Sequence, residues 1–265
     1  MYRQRFYRDF SSSERWVSYR VQVESSDLFI RSRENQAYRM QQLVRQLRRE
    51  INEHIQRQPE FLDSLTPVER MRRAPSIVQS MYRAADLAGI GPMGAVAGAV
   101  AERVGRALLG GSEEVIVENG GDNFLVLQAP CISTIFAGQS VFSGHVGLHI
   151  QPEQTPLAVC TSSGTIGHSY SQGRADAATI LAADAALADA VATGTANRIA
   201  NESQVEASLE YAMAIPGILG AVLICGRTMA ARGAVELVNI SQTDELAEAD
   251  QPTVRPEHRP EERNA

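Results

Sequence analysis

Between residues 114 and 182 short apolar segments follow one another, and nothing in that interval has the length or period of a helix. "EVIVENGG", "NFLVLQ", "ISTIFA", "VGLHIQ", "LAVCTSSG" and "ATILA" read as strands, with glycine, proline and serine between them. Helical patterns sit before and after this run rather than inside it. Strands grouped together and helices grouped elsewhere define an α+β chain, a mainly antiparallel sheet with helices packed against it.

The flanks fill in this plan. "WVSYRVQV" and "DLFIRS", separated by "ESS", predict a β-hairpin. A long amphipathic helix follows, about Glu34 to Gln58, in which Met40, Val44, Leu47, Ile51 and Ile55 make one apolar stripe. Pro59 ends it, and a shorter helix begins after Pro75. "AGIGPMGAVAGAVAERVGRALLGG" reads as a glycine-rich turn running into a small-residue helix stopped by Gly110 and Gly111. Further helices are expected from about Asp184 to Asn201 and from Glu202 to Ala214. Pro216 and Gly217 break the chain, and "GAVLICG" with "AVELVNI" is expected to close the fold as a hairpin. The expected organisation is one domain over residues 1–241, including the hairpin 16–32 and the helix 34–58, followed by a disordered charged tail, 242–265.

Composition removes several chemistries. The 25 basic residues are all arginine. A Schiff-base lysine, a Walker-type phosphate lysine and a Ser–Lys dyad are therefore impossible. Cationic work falls to arginine, a metal ion or backbone amides. The arginines crowd the first third of the chain but are interspersed with acids on an amphipathic pattern, which reads as a solvated helix face and not a nucleic-acid surface. Cys131, Cys160 and Cys225 have no CxxC spacing, and an odd, sparse set fits a reducing compartment. "MYRQRFYRDF" has no apolar core of a secretion signal, and the longest near-apolar run, about fifteen residues from Leu87 to Ala101, falls short of a membrane span. The expectation is a cytoplasmic protein with no nucleic-acid or membrane partner; a homo-oligomer is left open.

Four stretches can carry chemistry. In "DAALADAVATGTANRIAN", Asp189, Thr193 and Asn197 stack along one helix face at intervals of one turn, among small residues that let another backbone approach. A buried carboxylate there needs a partner, and magnesium held by carboxylate, hydroxyl and carbonyl oxygens would supply it. On spacing alone a solvated face is the favoured reading, since polar pairs one turn apart are common. In "VENGGDNF", Gly120 and Gly121 permit a ligand to approach the backbone and Asp122 is placed to accept from a ribose or support a metal; a plain hairpin turn explains the same residues. "TSSGTIGHS" offers hydroxyls and amides free of a sheet ladder, a nest suited to phosphate oxygens. With His168 only a few residues from Ser162 and Ser163, and no G-x-S-x-G elbow, a nucleophilic serine is the weaker reading. The "GIGPMG" turn, Gly89 to Gly94, precedes a helix N-terminus suited to an anion, although close helix packing explains its small residues equally well. His145 and His149 share one strand face by parity, without a third zinc ligand. Cys160, beside the serine-rich loop, is a candidate reactive thiol if exposed and an inert one if buried.

In this order, "GPMGAVAGAVA", "ENGGDNFL", "CTSSGTIGHS" with "GRADAATIL", and "ADAVATGTAN" resemble an uncharacterised bacterial and archaeal family related to the ApbE-type flavin transferases. That resemblance runs over roughly residues 14–240. To ApbE itself it is narrower. The Gly-Gly-Asp that ends an ApbE strand is matched by Gly120, Gly121 and Asp122. The Ser-Gly loop is matched by Ser163 and Gly164, with Ser162, Thr165 and His168 beside it. The Ala-Asp helix with a threonine one turn later is matched by Ala188, Asp189 and Thr193. The resemblance implies the ApbE variety of the T-fold, a small-molecule nucleotide ligand such as FAD, and magnesium at Asp189 and Thr193. It also implies the transfer of FMN to a protein threonine. The His-x-x-Asp-Pro-x-Thr-Gly segment of ApbE has no counterpart in "GHSYSQGRADAATI". Archaeal members of the related family are linked to sulfide assimilation towards homocysteine, a reading that would bring Cys131 or Cys160 forward. A third reading, a non-enzymatic ligand- or partner-binding protein, stands beside both.

Overall fold

The computed structural model describes residues 15–164 and 173–240. The expected tail, 242–265, and the candidate residues Thr165 and His168 lie outside the described residues.

The chain opens with β1 (Val17–Val23) and β2 (Ser26–Ser32), a hairpin in which Val23 faces Ser26 across the turn. Then come α1 (Ala37–Arg57), the single turn α2 (Glu60–Asp63), α3 (Ser76–Ala88) and α4 (Val96–Leu108). The strands β3 (Val115–Asn119), β4 (Asp122–Val126), β5 (Cys131–Thr134), β6 (Val146–Ile150), β7 (Leu157–Ser162) and β8 (Ala177–Ala182) follow. The elements α5 (Ala185–Arg198), α6 (Val205–Ala214), β9 (Ile218–Cys225), β10 (Thr228–Gly233) and β11 (Leu237–Asn239) complete the order. Eight strands form one sheet in the order β1-β2-β3-β4-β7-β8-β9-β10, and β11-β6-β5 form a second, smaller one. Every pairing is antiparallel. The expected α+β class with helices packed on an antiparallel sheet is what the chain adopts.

Period-two alternation divides the core between the two faces of the large sheet. In β7, Ala158 and Cys160 turn toward the helices, while Leu157 and Val159 join Leu125, Leu148 and Ile150 under the small sheet. The apolar stripe of α1 is buried at Met40, Val44, Leu47 and Ile51, packed with Val21, Leu28 and Ile30 of the first hairpin. Each such side chain contributes about 1.5–3 kcal/mol by leaving water.

The closing hairpin differs from the expectation. β9 turns at Gly226, whose φ of 59° lies in the left-handed region, and pairs with β10, "TMAARG". The expected partner, "AVELVNI", instead supplies β11, which pairs with β6 of the small sheet. β10 is an edge strand whose last three residues are exposed, so it needs no apolar alternation and leaves little pattern to read. The helix after Asp184 is also shorter than expected, because Asn201 accepts from the Ser203 N–H and starts a new cap.

Candidate functional site

The site is assembled where the helix-facing side of β4 and β7 meets α4 and α5. Asp122 and Cys160 stand directly opposite each other across the β4–β7 ladder, and Phe124 and Ala158, which share their parity, lie in the core under the helices. Gly120 and Gly121 are the turn between β3 and β4, with φ of 76° and 115°. The hairpin reading of "VENGGDNF" therefore holds, and the same turn delivers Asp122 as the first residue of β4.

Asp189 arrives from α5, whose small residues let α4 come close. A Cβ on Gly98 would lie 2.1 Å from the Ala185 carbonyl oxygen and 2.8 Å from Asp189 Cβ. One on Gly105, two turns along α4, would meet the Phe124 ring at 2.3 Å. This contact buries Asp189 to 8 % exposure and Asp122 to 7 %. The Gly98 N–H donates to Asp189 Oδ2 at 2.8 Å, and the Ala97 N–H also points at this carboxylate. Asn119 holds the Ala97 carbonyl at 3.0 Å. The anion expected at this helix start is thus an internal one: the Asp189 carboxylate takes the amides of the first turn of α4.

Three ionisable groups now share one desolvated space. Burial raises the Asp122 carboxyl well above its ordinary value, and the nearby Asp189 charge raises it further. Burial also raises Asp189, to about 7, while its two backbone donors pull it back. Cys160 is raised by burial and by both carboxylates, so it stays a thiol. It is fully buried and its Sγ–H points at the Ala185 carbonyl at 3.7 Å. The exposed, reactive Cys160 weighed from the sequence is not what the structure contains. Among the described residues no arginine pairs with Asp122 or Asp189.

Thr193 lies one turn beyond Asp189, half-buried, with its methyl 3.5 Å from where a side chain on Gly94 would begin. The polar stripe of α5 is therefore an interior face, not a solvated one. The end of α5 meets the neck of the serine-rich loop: a Cβ on Gly173 would sit 1.8 Å from the Ala196 carbonyl and 3.1 Å from Asn197 Cα. Gly164 packs on Gly173 in turn, and its N–H donates to Ala175 O at 2.9 Å. Ser163 Oγ points to the same carbonyl at 3.4 Å. Thr161 and Ser162 are not free loop residues as expected; β7 extends through both, and they pair with Thr179 and Ala178 of β8. The remaining cradle candidates, Thr165 and His168, lie outside the described residues.

The histidines stand elsewhere. His149 pairs with Glu236 at 2.8 Å, and His145 precedes β6 instead of sharing its face. Among the described residues no group of three or more His, Cys, Asp or Glu is placed to hold a metal. That excludes a zinc-like cage there but fits magnesium, which is ordinarily held by one or two carboxylates with water and substrate phosphates completing its shell. The donors present, two carboxylates and the Thr193 hydroxyl, are hard oxygens, and among the described residues no arginine pairs with either carboxylate.

The sequence did not reveal that Asp122 and Asp189 form a pair, nor that Gly98 seats the second of them. The recurrence of small residues at Gly94 and Gly98, one turn apart, was the available signal.

The fold defines the class: an ApbE-like α+β domain. ApbE from Thermotoga maritima superposes with a TM-score of 0.56 over 87 % of this chain and 98 % of its own, at 12 % identity. The flavin transferase ApbE from Vibrio cholerae gives 0.55 over 82 % and 96 %, at 16 % identity. Sequence is more specific. The chain belongs to the family described as AbpE bacteria, whose model matches residues 8–234. Relatives carry the name UPF0280 protein: that of Methanocella arvoryzae is 40 % identical over 72 % of this chain and 78 % of its own length. That of Methanocaldococcus jannaschii is 33 % identical over 88 % and 98 %. Among the described residues no single helix is long and apolar enough to cross a membrane.

Proposed function

We infer that the protein binds a diphosphate nucleotide, FAD or a relative of it, together with magnesium held by Asp189, Asp122 and Thr193. One observation carries this reading: two buried carboxylates lie close enough for the charge of one to raise the other, and among the described residues no arginine pairs with either. Desolvated like charges are tolerated only when protonated or neutralised, and a divalent cation neutralises both. When bound, magnesium would offset the charge of a diphosphate. The chain's own residues orient the ion: Gly98 N–H fixes the Asp189 carboxylate, and the Gly120–Gly121 turn fixes Asp122. The ApbE neighbours, flavin transferases by name, support the nucleotide class. FMN transfer to a protein acceptor is the activity this arrangement would serve. The thiol-centred alternative gains nothing from Cys160, which is buried and held protonated.

Calorimetry with FAD tests the reading. Binding is expected with magnesium, to fall sharply without it, and to be lost in Asp189→Ala. Equal affinity with and without magnesium, or in the variant, overturns the metal assignment; no binding of FAD or ADP under any condition overturns the nucleotide.

A further inference from the structure

A surface cavity of about 600 Å³ opens where the end of α1 meets the segment between α2 and α3, and none of the carboxylate cluster lines it. Four arginines line it, Arg57, Arg70, Arg72 and Arg73, against Glu60 and Glu69. Two of these charges have ordinary explanations. Arg57 lies in the last turn of α1, where a cation complements the helix end. Arg70 is held by Asp86. Arg72 and Arg73 pair with no carboxylate among the described residues.

The segment that presents them is pinned. Gln58 Nε2 donates to the Glu69 carbonyl at 2.9 Å and Gln79 Nε2 to the Met71 carbonyl at 2.8 Å. Ala74 N–H closes a turn on Met71 O at 3.1 Å. Backbone carbonyls of residues 69 and 71 are thus taken by glutamine side chains, Gln58 at the end of α1 and Gln79 in α3. The arginine side chains are carried on a fixed backbone, so little loop entropy is lost when an anion binds. Gln58 is buried and also accepts from the Tyr82 hydroxyl, which meets His54 Nε2 at 2.8 Å. Burial lowers the His54 value, so this relay beneath the cavity is uncharged.

We propose that this cavity binds a small phosphate-bearing anion through the guanidinium groups of Arg57, Arg72 and Arg73. A guanidinium presents a planar fork of donors to paired oxygens. One carboxylate, with two oxygens, satisfies one such fork. A phosphate group offers three oxygens and close to a double charge, which suits more than one fork. This site needs no metal and stands independently of the nucleotide reading above.

Inorganic pyrophosphate is the probe. The full chain, dialysed free of magnesium, is titrated with pyrophosphate in a calorimeter, with citrate in a parallel arm. Saturable pyrophosphate binding is expected, weakened at least about tenfold in Arg72→Gln/Arg73→Gln. All these arginines are exposed, so the double variant is expected to melt like the wild type without pyrophosphate. The proposal is overturned by absent saturation, or by full affinity in the double variant. Citrate binding as tight as pyrophosphate overturns the phosphate class.

Discussion

At the scale of single residues the carboxylate pair makes the protein's stability depend on pH in a direction opposite to most surface acids. Asp122 and Asp189 both titrate above the ordinary aspartate value of about 3.9. Between that value and their raised ones the folded chain binds more protons than the unfolded chain, so their contribution is full at low pH and is lost as pH rises. For Asp189 the window closes near pH 7. His54 and Glu114, both lowered, slope the other way, so the pair is isolated only by comparison with a variant. Asp189→Asn keeps an acceptor for Gly98 N–H and removes the charge. In metal-free protein it is expected to gain about 2–3 kcal/mol relative to wild type between pH 5 and 8, read from urea melts at both values; a pH-independent difference would show that Asp189 does not hold the proton. Thiol chemistry gives a second check. Cys131 is half-buried whereas Cys160 and Cys225 are buried, so a thiol reagent should modify Cys131 first in native protein. It should do so slowly, because burial pushes that thiol up to about 11. Early loss of Cys160 would mean that the cover of α4 and α5 opens. The sequence made Asp122 and Asp189 separate candidates. Their pairing depends on the contact of two helices with a sheet, which local spacing does not encode.

At the scale of elements the decisive contact is α4 against α5. α5 is buried on nearly every side, so its own apolar pattern has no preferred face, and periodicity cannot orient it. Orientation comes from glycine instead. Gly98→Ala would put a methyl 2.1 Å from the Ala185 carbonyl, a backbone atom that cannot swing away. The expected cost is about 1–3 kcal/mol, with weakened magnesium binding because Asp189 moves with the helix. Ala99→Gly, on an adjacent position of α4, separates the two effects: it costs helix propensity, about 1 kcal/mol, without touching Asp189. Equal metal affinity in Gly98→Ala and wild type would show that the helix contact does not position the carboxylate. The same scale explains what was legible. The first hairpin, the α1 stripe and the β3–β4 turn all carry strong local signals, an apolar period or a Gly-Gly pair, and each forms where expected. The β9–β10 pairing does not, because an exposed edge strand of small and polar residues resembles a loop, while "AVELVNI" resembles a strand and is one, in the other sheet.

At the scale of the whole molecule the two ends of the described chain are fastened very differently. The first hairpin is the edge of the large sheet and buries Tyr19, Val21, Val23, Leu28 and Ile30 against α1. Just before it, Arg15 reaches the fully buried Glu114 carboxylate, which also accepts from the Gln128 and Ala129 amides. Removing Arg15 would leave that carboxylate with Arg33 as its ion-pair partner among the described residues, and removing the hairpin would strip the apolar stripe of α1 of its cover. At the other end the last described residue is Ile240, whose N–H donates to the His145 carbonyl at 3.0 Å and whose side chain packs 3.3 Å from a Cβ position on Gly147. Beyond it the sequence carries little to bury: after Thr243, Leu246 and Val254 are its only aliphatic residues larger than alanine. Ordering each residue costs about 1–2 kcal/mol of backbone entropy, and such a segment returns almost none of it. Truncation after Ile240 is therefore expected to leave the melting temperature nearly unchanged. Deletion through Ser32 should lower it by many degrees or abolish soluble expression, because a helix stripe, a sheet edge and a buried carboxylate all lose their partners together. Thermal melting of the two truncated chains beside the full one decides the matter, and equal tolerance of both would place the stabilising core in the α5-centred half of the molecule alone.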